Sequence, residues 1–162
     1  MTRVFSEEHR RKISESCKGR KTWNKGKKMS KSSLYKNMVS HLRFNVDVAW
    51  IEKFEDIERL KFLNSCISKR KDRFEVSDSW YVSYIEKFYS DQQFNRIYQK
   101  WLSNGKDKYL RPTIDHINPR ASGGKNDLNN LQFLSWFENR AKCDMTQSEW
   151  DRLKININQY LV

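Results

Sequence analysis

The chain has 162 residues, of which 37% are hydrophobic and 32% charged, and its net charge is +12 at pH 7. This length suits one medium-sized domain or a small domain with appendages, and the positive charge predicts a polyanion as partner. No apolar run is long enough to span a membrane, no secretory signal opens the chain, and 3 widely spaced cysteines predict neither a disulfide framework nor a zinc site. We therefore expect a protein of the reducing cytoplasm that is neither secreted nor bound to a membrane.

The positive charge is concentrated at the N-terminus. Residues 1–36 hold 12 Lys or Arg and 3 Glu, a net charge of +9, whereas the remaining 126 residues have a net charge of +3. Ser6 is placed to cap a short helix that Gly19 would end, but Ile13 is its clearest apolar residue. Basic residues then follow at every one to three positions around Trp23. Such a segment is typical of an extended arm that follows DNA phosphates or lies in a minor groove.

This N-terminal segment resembles NUMOD3, a short DNA-binding module attached to homing and other phage nucleases. The resemblance rests on residues 6–8, 11–15, 18–21 and 23–28. It implies a basic DNA-binding arm over residues 1–33. The residues that it implicates in DNA binding are Lys18, Arg20, Lys21, Trp23, Asn24, Lys25, Lys27 and Lys28. The alternative interpretation of the same residues is a solvated basic tail or a localisation signal.

The middle of the chain, residues 34–108, is predicted to be mainly helical. Apolar spacing predicts one helix that continues through Ile67, a second that starts after residues 77–79, and a third over residues 92–103 that Gly105 ends. The third has the clearest apolar stripe, formed by Phe94, Ile97, Tyr98, Trp101 and Leu102. Because helical periodicity accounts for nearly all of these aromatic side chains, we expect them in a core. This core would hold the next segment of the chain, residues 111–142, rigidly. An RNA-binding protein, which needs exposed aromatic side chains for base stacking, is therefore disfavoured.

Residues 111–142 combine polar side chains that suit hydrolytic chemistry. A β-branched run carries Asp115 and His116 and ends at Pro119, and a Gly-containing loop, a second apolar run and a helical segment follow, so the order predicted is strand, loop, strand, helix. Asp115 and Asn139 offer hard oxygen ligands for Mg²⁺ or Mn²⁺, and a neutral His116 is a natural general base for phosphodiester hydrolysis. Adjacent strand residues point to opposite faces, so Asp115 and His116 share a pocket wall only if the strand end is irregular, as Pro119 allows.

The same segment resembles the HNH (ββα-metal) nuclease family. The resemblance rests on residues 115–119, on Asn130 with the apolar run after it, and on residues 139–142. His116 and Asn130 are 14 residues apart, and Asn130 and Asn139 are 9 residues apart. Three polar positions in register with two strand signals and a helix form a specific pattern, whereas an isolated Asp-His pair would be a weak one.

The resemblance implies a role for each matching residue. His116 would be the general base, Asp115 and Asn139 would bind one divalent metal, and Asn130 would steady the loop and the His116 ring. Asn139 stands where the family's named pattern has His; many members share this variant, which favours oxygen-ligated Mg²⁺ over a transition metal. Two further cations, Arg140 and Lys142, would contact phosphates near the cut, although a solvated surface explains them equally well.

The remaining residues complete the predicted fold. Thr146 and Glu149 form a capping box for a last helix, to about residue 160, whose apolar face we expect to pack over the helical middle. The predicted fold class is α+β and mainly helical, with a ββα-metal hairpin and helix at residues 111–143. This unit would be embedded in a nuclease domain of residues 34–162, which follows the basic arm.

The function that we favour is an HNH endonuclease acting on double-stranded DNA. By resemblance, the pairing of modules suggests a phage or mobile-element homing nuclease of the host cytoplasm. A monomer is favoured over a dimer, and either a nickase or a double-strand cutter fits the sequence, since one site per chain would need a dimer or rebinding to cut both strands. The alternative is a site-specific DNA-binding protein or regulator whose nuclease-like body is inactive. The presence of Asp115, His116, Asn130 and Asn139 argues against that alternative, because a binding protein has no need for all four.

Overall fold

A computed structural model describes residues 6–20, 26–68 and 76–160 of the chain. In chain order the elements are α1 (Glu7–Cys17), α2 (Lys31–Ser40), α3 (Val48–Ile51), α4 (Ile57–Ser68), α5 (Asp78–Tyr89), α6 (Gln92–Ser103), β1 (Pro112–His116), β2 (Leu131–Ser135), α7 (Trp136–Lys142) and α8 (Gln147–Tyr160). The two strands form one antiparallel hairpin, and α7 follows it directly. The predicted class, α+β and mainly helical with a ββα unit, is confirmed. Within the described ranges, no helix combines the length and apolar character needed to cross a membrane.

The helices begin and end at residues that signal these positions in the sequence. Ser6, Ser77 and Asp91 cap α1, α5 and α6 by accepting a backbone N–H hydrogen bond into the first turn. Gly19 and Gly105, just beyond α1 and α6, adopt φ angles of +78° and +64°, which glycine tolerates better than other residues. The predicted limits of the third helix of the middle region are therefore those observed for α6.

The core is aromatic and joins the helices to the hairpin. Phe133 of β2 is 1% exposed, and its ring centroid lies 5.0 Å from that of Phe88 on α5 and 4.7 Å from that of Phe94 on α6. The neighbouring Gln93 donates a hydrogen bond of 2.7 Å from Nε2 to the Phe133 carbonyl. The prediction that the aromatic stripes are core is confirmed for these rings. The packing fixes the hairpin on the helical body.

The helix α7 lies along the edge of β1 that β2 does not cover. A capping box between Ser135 and Glu138 starts this helix directly after β2. Two of its side chains then donate to alternate carbonyl groups of β1: Asn139 Nδ2 to Ile114 O at 3.0 Å, and Lys142 Nζ to His116 O at 2.8 Å. Residues three apart on a helix share a face, so one face of α7 satisfies the exposed strand edge.

The last helix packs differently from our prediction. Its capping box is confirmed, since Thr146 N donates to Glu149 Oε2 at 2.7 Å. Trp150 is buried, but Ile155 and Ile157, either of which could continue the apolar face expected from the sequence, are 59% and 43% exposed. The prediction that this face packs as a whole over the helical middle is therefore wrong. A helical period alone shows which residues share a face, and not whether a neighbouring element covers that face. Leu161, the last residue of the expected face, lies outside the described residues.

Candidate active site

Asp115 is held at the junction of the hairpin and α7. Its side chain is nearly buried, and both of its contacts use Oδ2: Gln132 Nε2 donates to it at 3.0 Å, and Lys142 Nζ lies 3.1 Å away. Gln132 is directly opposite Asp115 in the strand pairing, which brings the two side chains to one face. A carboxylate at such depth requires partners of this kind because an unpaired buried charge is costly.

Lys142 is placed differently from our expectation that it contacts phosphate. It is fully buried at the end of α7, where its ammonium group bonds to Asp115 and to the His116 carbonyl. The physical reason is the course of α7 along β1, which directs this side chain to the strand end instead of to solvent. Arg140, in contrast, is exposed and lies with its guanidinium carbon 5.4 Å from the centroid of the Trp136 ring.

Asn139 has an amide orientation that its neighbours determine. Its Nδ2 donates to Thr113 Oγ1 at 3.1 Å and to Ile114 O at 3.0 Å. Because a backbone carbonyl can only accept, the NH₂ group must face the strand, and Oδ1 is the atom left to bind a cation. Asn139 also lines a cavity of about 210 Å³ together with Thr113, Ile114, Trp136 and Arg140.

The donor chemistry of Asp115 and Asn139 fits one hard divalent cation. A carboxylate oxygen and an amide oxygen are ligands that Mg²⁺ accepts, and both side chains lie where α7 meets β1. In the part of the chain that the structure describes, no cluster of three or more His, Cys, Asp or Glu side chains could hold a metal. A cation here would therefore need further oxygen ligands besides these two side chains. The Lys142 ammonium already supplies one positive charge beside Asp115, which weakens the attraction for another.

The His116 side chain contacts the loop between the two strands. The strand pairing is regular through His116, opposite Leu131, and it continues to Ile117, whose N–H donates to Asn130 O at 2.9 Å. The irregular strand end that Pro119 allowed is therefore not found, and Asp115 and His116 leave opposite faces of β1. The His116 ring is half-buried, and its Nε2 lies 3.0 Å from Asn126 Oδ1.

Asn130 closes the loop between the strands, as we expected. Its Oδ1 accepts from Asn118 N at 2.8 Å, and its Nδ2 donates to Asn118 O at 3.1 Å and to Lys125 O at 2.9 Å. The loop passes so close that a Cβ on Gly124 would lie 1.9 Å from Asn118 O. The expected contact with the His116 ring is made instead by Asn126. The sequence has no spacing signal for that residue, which lies among several loop amides.

The described basic residues of the N-terminal segment are exposed. Those predicted to bind DNA and described by the structure are Lys18, Arg20, Lys27 and Lys28. The others, namely Lys21, Trp23, Asn24 and Lys25, lie outside the described residues. The helix α1 buries none of its side chains, and it carries local contacts such as the Ser6 cap and the pair of Glu8 and Lys12, with 2.9 Å between Oε1 and Nζ.

Comparison with known families matches two segments of the chain. Residues 103–142 match the family model described as HNH endonuclease, and residues 3–36 match the one described as NUMOD3 motif. No curated protein and no solved structure matches the chain. The HNH match spans the hairpin and α7 with Asp115, His116, Asn130 and Asn139, and the NUMOD3 match spans α1 and the basic residues after it. The chain therefore contains a segment that matches the HNH endonuclease model, preceded by one that matches the NUMOD3 motif, and these are the two families that the sequence indicated.

Proposed function

We propose that the chain is a metal-dependent DNA endonuclease that hydrolyses phosphodiester bonds. The observation that carries this proposal is the match of residues 103–142 to the HNH endonuclease model. This segment carries two hard oxygen donors, Asp115 on β1 and Asn139 on α7, and the Asn139 amide bonds to the β1 carbonyl of Ile114. These two residues would hold one Mg²⁺ or Mn²⁺ ion. When bound, such an ion neutralises charge that develops on the scissile phosphate.

His116 is the residue proposed as general base, which takes a proton from the attacking water. Its side chain leaves the face of β1 opposite to that of Asp115, so the substrate phosphate would lie across the end of the strand between them. Asn130 would hold the loop beside the base through its three bonds to the loop backbone. In this arrangement His116 supplies the base and Asn130 holds the loop beside it, while the pairing of β1 with β2 stays regular.

The DNA-binding residues that we propose are in two places. Residues 1–33 would form a basic arm whose cations contact DNA phosphates. Residues 34–162 would form the nuclease domain, in which Arg140 would contact the DNA backbone near the cut. The pairing of NUMOD3 and HNH segments supports a phage or mobile-element homing nuclease that works in the host cytoplasm. One site per chain would nick one strand of double-stranded DNA in each binding event of a monomer.

A second candidate is a DNA-binding protein whose nuclease-like body is inactive. One observation favours it: the carboxylate of Asp115 is already neutralised by the buried ammonium group of Lys142, 3.1 Å away. A cation that bound Asp115 would face repulsion from this charge. The two candidates agree on DNA binding and differ in whether DNA is cut.

Incubation of the full chain with supercoiled plasmid separates these candidates. The endonuclease proposal predicts nicked circles with Mg²⁺ or Mn²⁺, none with EDTA, and a strong reduction for Asn139→Ala. Asn129→Ala, which changes an exposed amide of the same segment, is the matched control and should nick at the wild-type rate. If the full chain binds the plasmid but gives no nicked product with Mg²⁺ or Mn²⁺, the result would contradict the endonuclease proposal and support the DNA-binding protein.

A further inference from the structure

The loop side of β1 connects His116 to the helical body. Asn126 contacts the ring through its side chain, with 3.0 Å between Oδ1 and His116 Nε2, and its backbone carbonyl accepts a 3.2 Å hydrogen bond from Trp80 Nε1. Trp80 belongs to α5, where its ring stacks on that of Tyr84 with centroids 5.3 Å apart and an interplanar angle of 7°. A continuous series of contacts therefore runs from the core through Trp80 and Asn126 to the imidazole.

A second contact from α5 holds the same loop. Lys87 Nζ donates a 2.5 Å hydrogen bond to the carbonyl of Leu128, two residues beyond Asn126. Trp80 and Lys87 are seven residues apart, about two helical turns, so they lie on one face of α5. The loop backbone around Asn126 is thus fixed at two points by a helix that packs into the core.

We propose that Asn126 is a positioning residue that holds His116 in one ring orientation and one tautomer. An amide oxygen only accepts hydrogen bonds, so the Nε2 facing it must carry the proton. A neutral imidazole has a single N–H, and Nδ1 is therefore the basic nitrogen. Asn130 does not serve in this role because its side chain bonds to the backbone of Asn118 and Lys125. This inference rests on the proposed function, in which His116 is the base.

The expected effect on catalysis follows from geometry. A general base must lie within hydrogen-bond reach of the water it deprotonates, and a small misplacement lowers the rate steeply. Without this acceptor, the Nε2–H tautomer of His116 loses the hydrogen bond that favours it, so the Nδ1–H tautomer becomes populated as well. We expect kcat for plasmid nicking to fall about 10- to 100-fold, with KM little changed, because Asn126 orients the base and does not bind the substrate.

The test uses three variants of the full chain and a readout that does not depend on cleavage. Asn126→Leu keeps the side-chain size but removes the acceptor, Asn126→Asp keeps an acceptor, and Asn129→Leu is the control at an exposed position. Nitrogen NMR of the neutral ring, assigned by comparison with His116→Ala, reports the tautomer. We expect the Nε2–H form in the wild type, Asn126→Asp and Asn129→Leu, and a mixture in Asn126→Leu, together with a reduced kcat.

The ring tautomer and kcat can each overturn the inference. An Nδ1–H ring in the wild type, or a wild-type tautomer and kcat in Asn126→Leu, would overturn the inference. Should Asn126→Leu fail to fold, Trp80→Phe removes only the indole N–H and keeps a ring against Tyr84; it should broaden the tautomer mixture, and an unchanged spectrum would count against the inference. If the wild-type chain does not cut DNA, the proposed endonuclease fails, while the ring spectrum still shows whether Asn126 sets the tautomer.

Discussion

The hairpin unit, which consists of β1, β2 and α7, and the N-terminal helix α1 differ in what stabilises them. Phe133 and Lys142 of the hairpin unit are almost completely buried, whereas α1 buries no side chain and its Ile13 is 48% exposed. A cap such as that of Ser6 contributes about 1 kcal/mol, and an isolated helix of 11 residues is marginal in water. The comparison teaches that the positions of the site residues are fixed by folding. The α1 helix, in contrast, has no buried side chain and is stabilised by local contacts such as the Ser6 cap.

The largest expected difference concerns the cores of the two regions. Phe133→Ala should lower the free energy of unfolding by about 3–5 kcal/mol, because it leaves a cavity among the rings of Phe88 and Phe94. Ile13→Ala in α1 should change it by less than about 0.5 kcal/mol, since this side chain is already half exposed to solvent. Urea unfolding of both variants measures this. Similar destabilisation by the two substitutions would show that α1 is packed after all.

The buried ion pair should produce the next largest effect. Lys142→Met leaves the Asp115 carboxylate buried without its cationic partner, at a cost of about 3 kcal/mol. The double variant with Asp115→Asn removes both charges, so it should be more stable than Lys142→Met alone. Chemical unfolding of the single and double variants forms the test. A Lys142→Met protein as stable as the wild type would contradict a stabilising role for this pair.

Removal of residues 1–30 should separate DNA affinity from folding. The deletion takes away 10 Lys or Arg and 3 Glu. The slope of log affinity against log salt should become shallower by about 0.9 for each phosphate that the segment no longer neutralises. The free energy of unfolding should fall by no more than about 1 kcal/mol, the usual contribution of a helix cap, because the deletion removes the Ser30 cap of α2 while α1 itself buries no side chain. Binding titrations at several salt concentrations measure the slope. Equal affinity of the truncated and full chains at every salt concentration would mean that this segment is not the DNA-binding module.

The smallest effect is expected at the start of α8, which local capping also stabilises. Hydrogen bonds from the Thr146 side chain and backbone N–H lower the pKa of Glu149 below its ordinary value of 4.5. A lowered pKa in the folded state means that the stabilisation is present above pH 4.5 and is lost as the pH falls through the folded-state value. Glu149→Gln should therefore be less helical than the wild type near pH 7, and the difference should vanish in acid. Circular dichroism across this range tests the sign; a difference that grows in acid would contradict it.

Local sequence signals predicted most of the fold. The surroundings of Lys142 and His116 in the candidate site, in contrast, depend on tertiary contacts. The limits of α6 and the order of hairpin and helix follow from caps, glycines and apolar periods that lie within a few residues. The burial of Lys142 depends on how α7 lies along β1, and no local pattern encodes that arrangement. The contact of Asn126 with His116 is supported by Trp80, 46 residues away from Asn126 in sequence. Strand alternation correctly separated Asp115 from His116. The irregular strand end that Pro119 made plausible is not found, since the pairing continues to Ile117.

The central claim is that the hairpin unit cuts DNA and that His116 is its base. The most direct measurement is the single-turnover rate of plasmid nicking by His116→Ala, at protein concentrations that saturate the DNA, together with its DNA affinity and unfolding free energy. The account predicts a rate about 10²- to 10⁴-fold lower, with affinity and stability unchanged. Nicking at the wild-type rate by a folded, DNA-bound His116→Ala protein would contradict it.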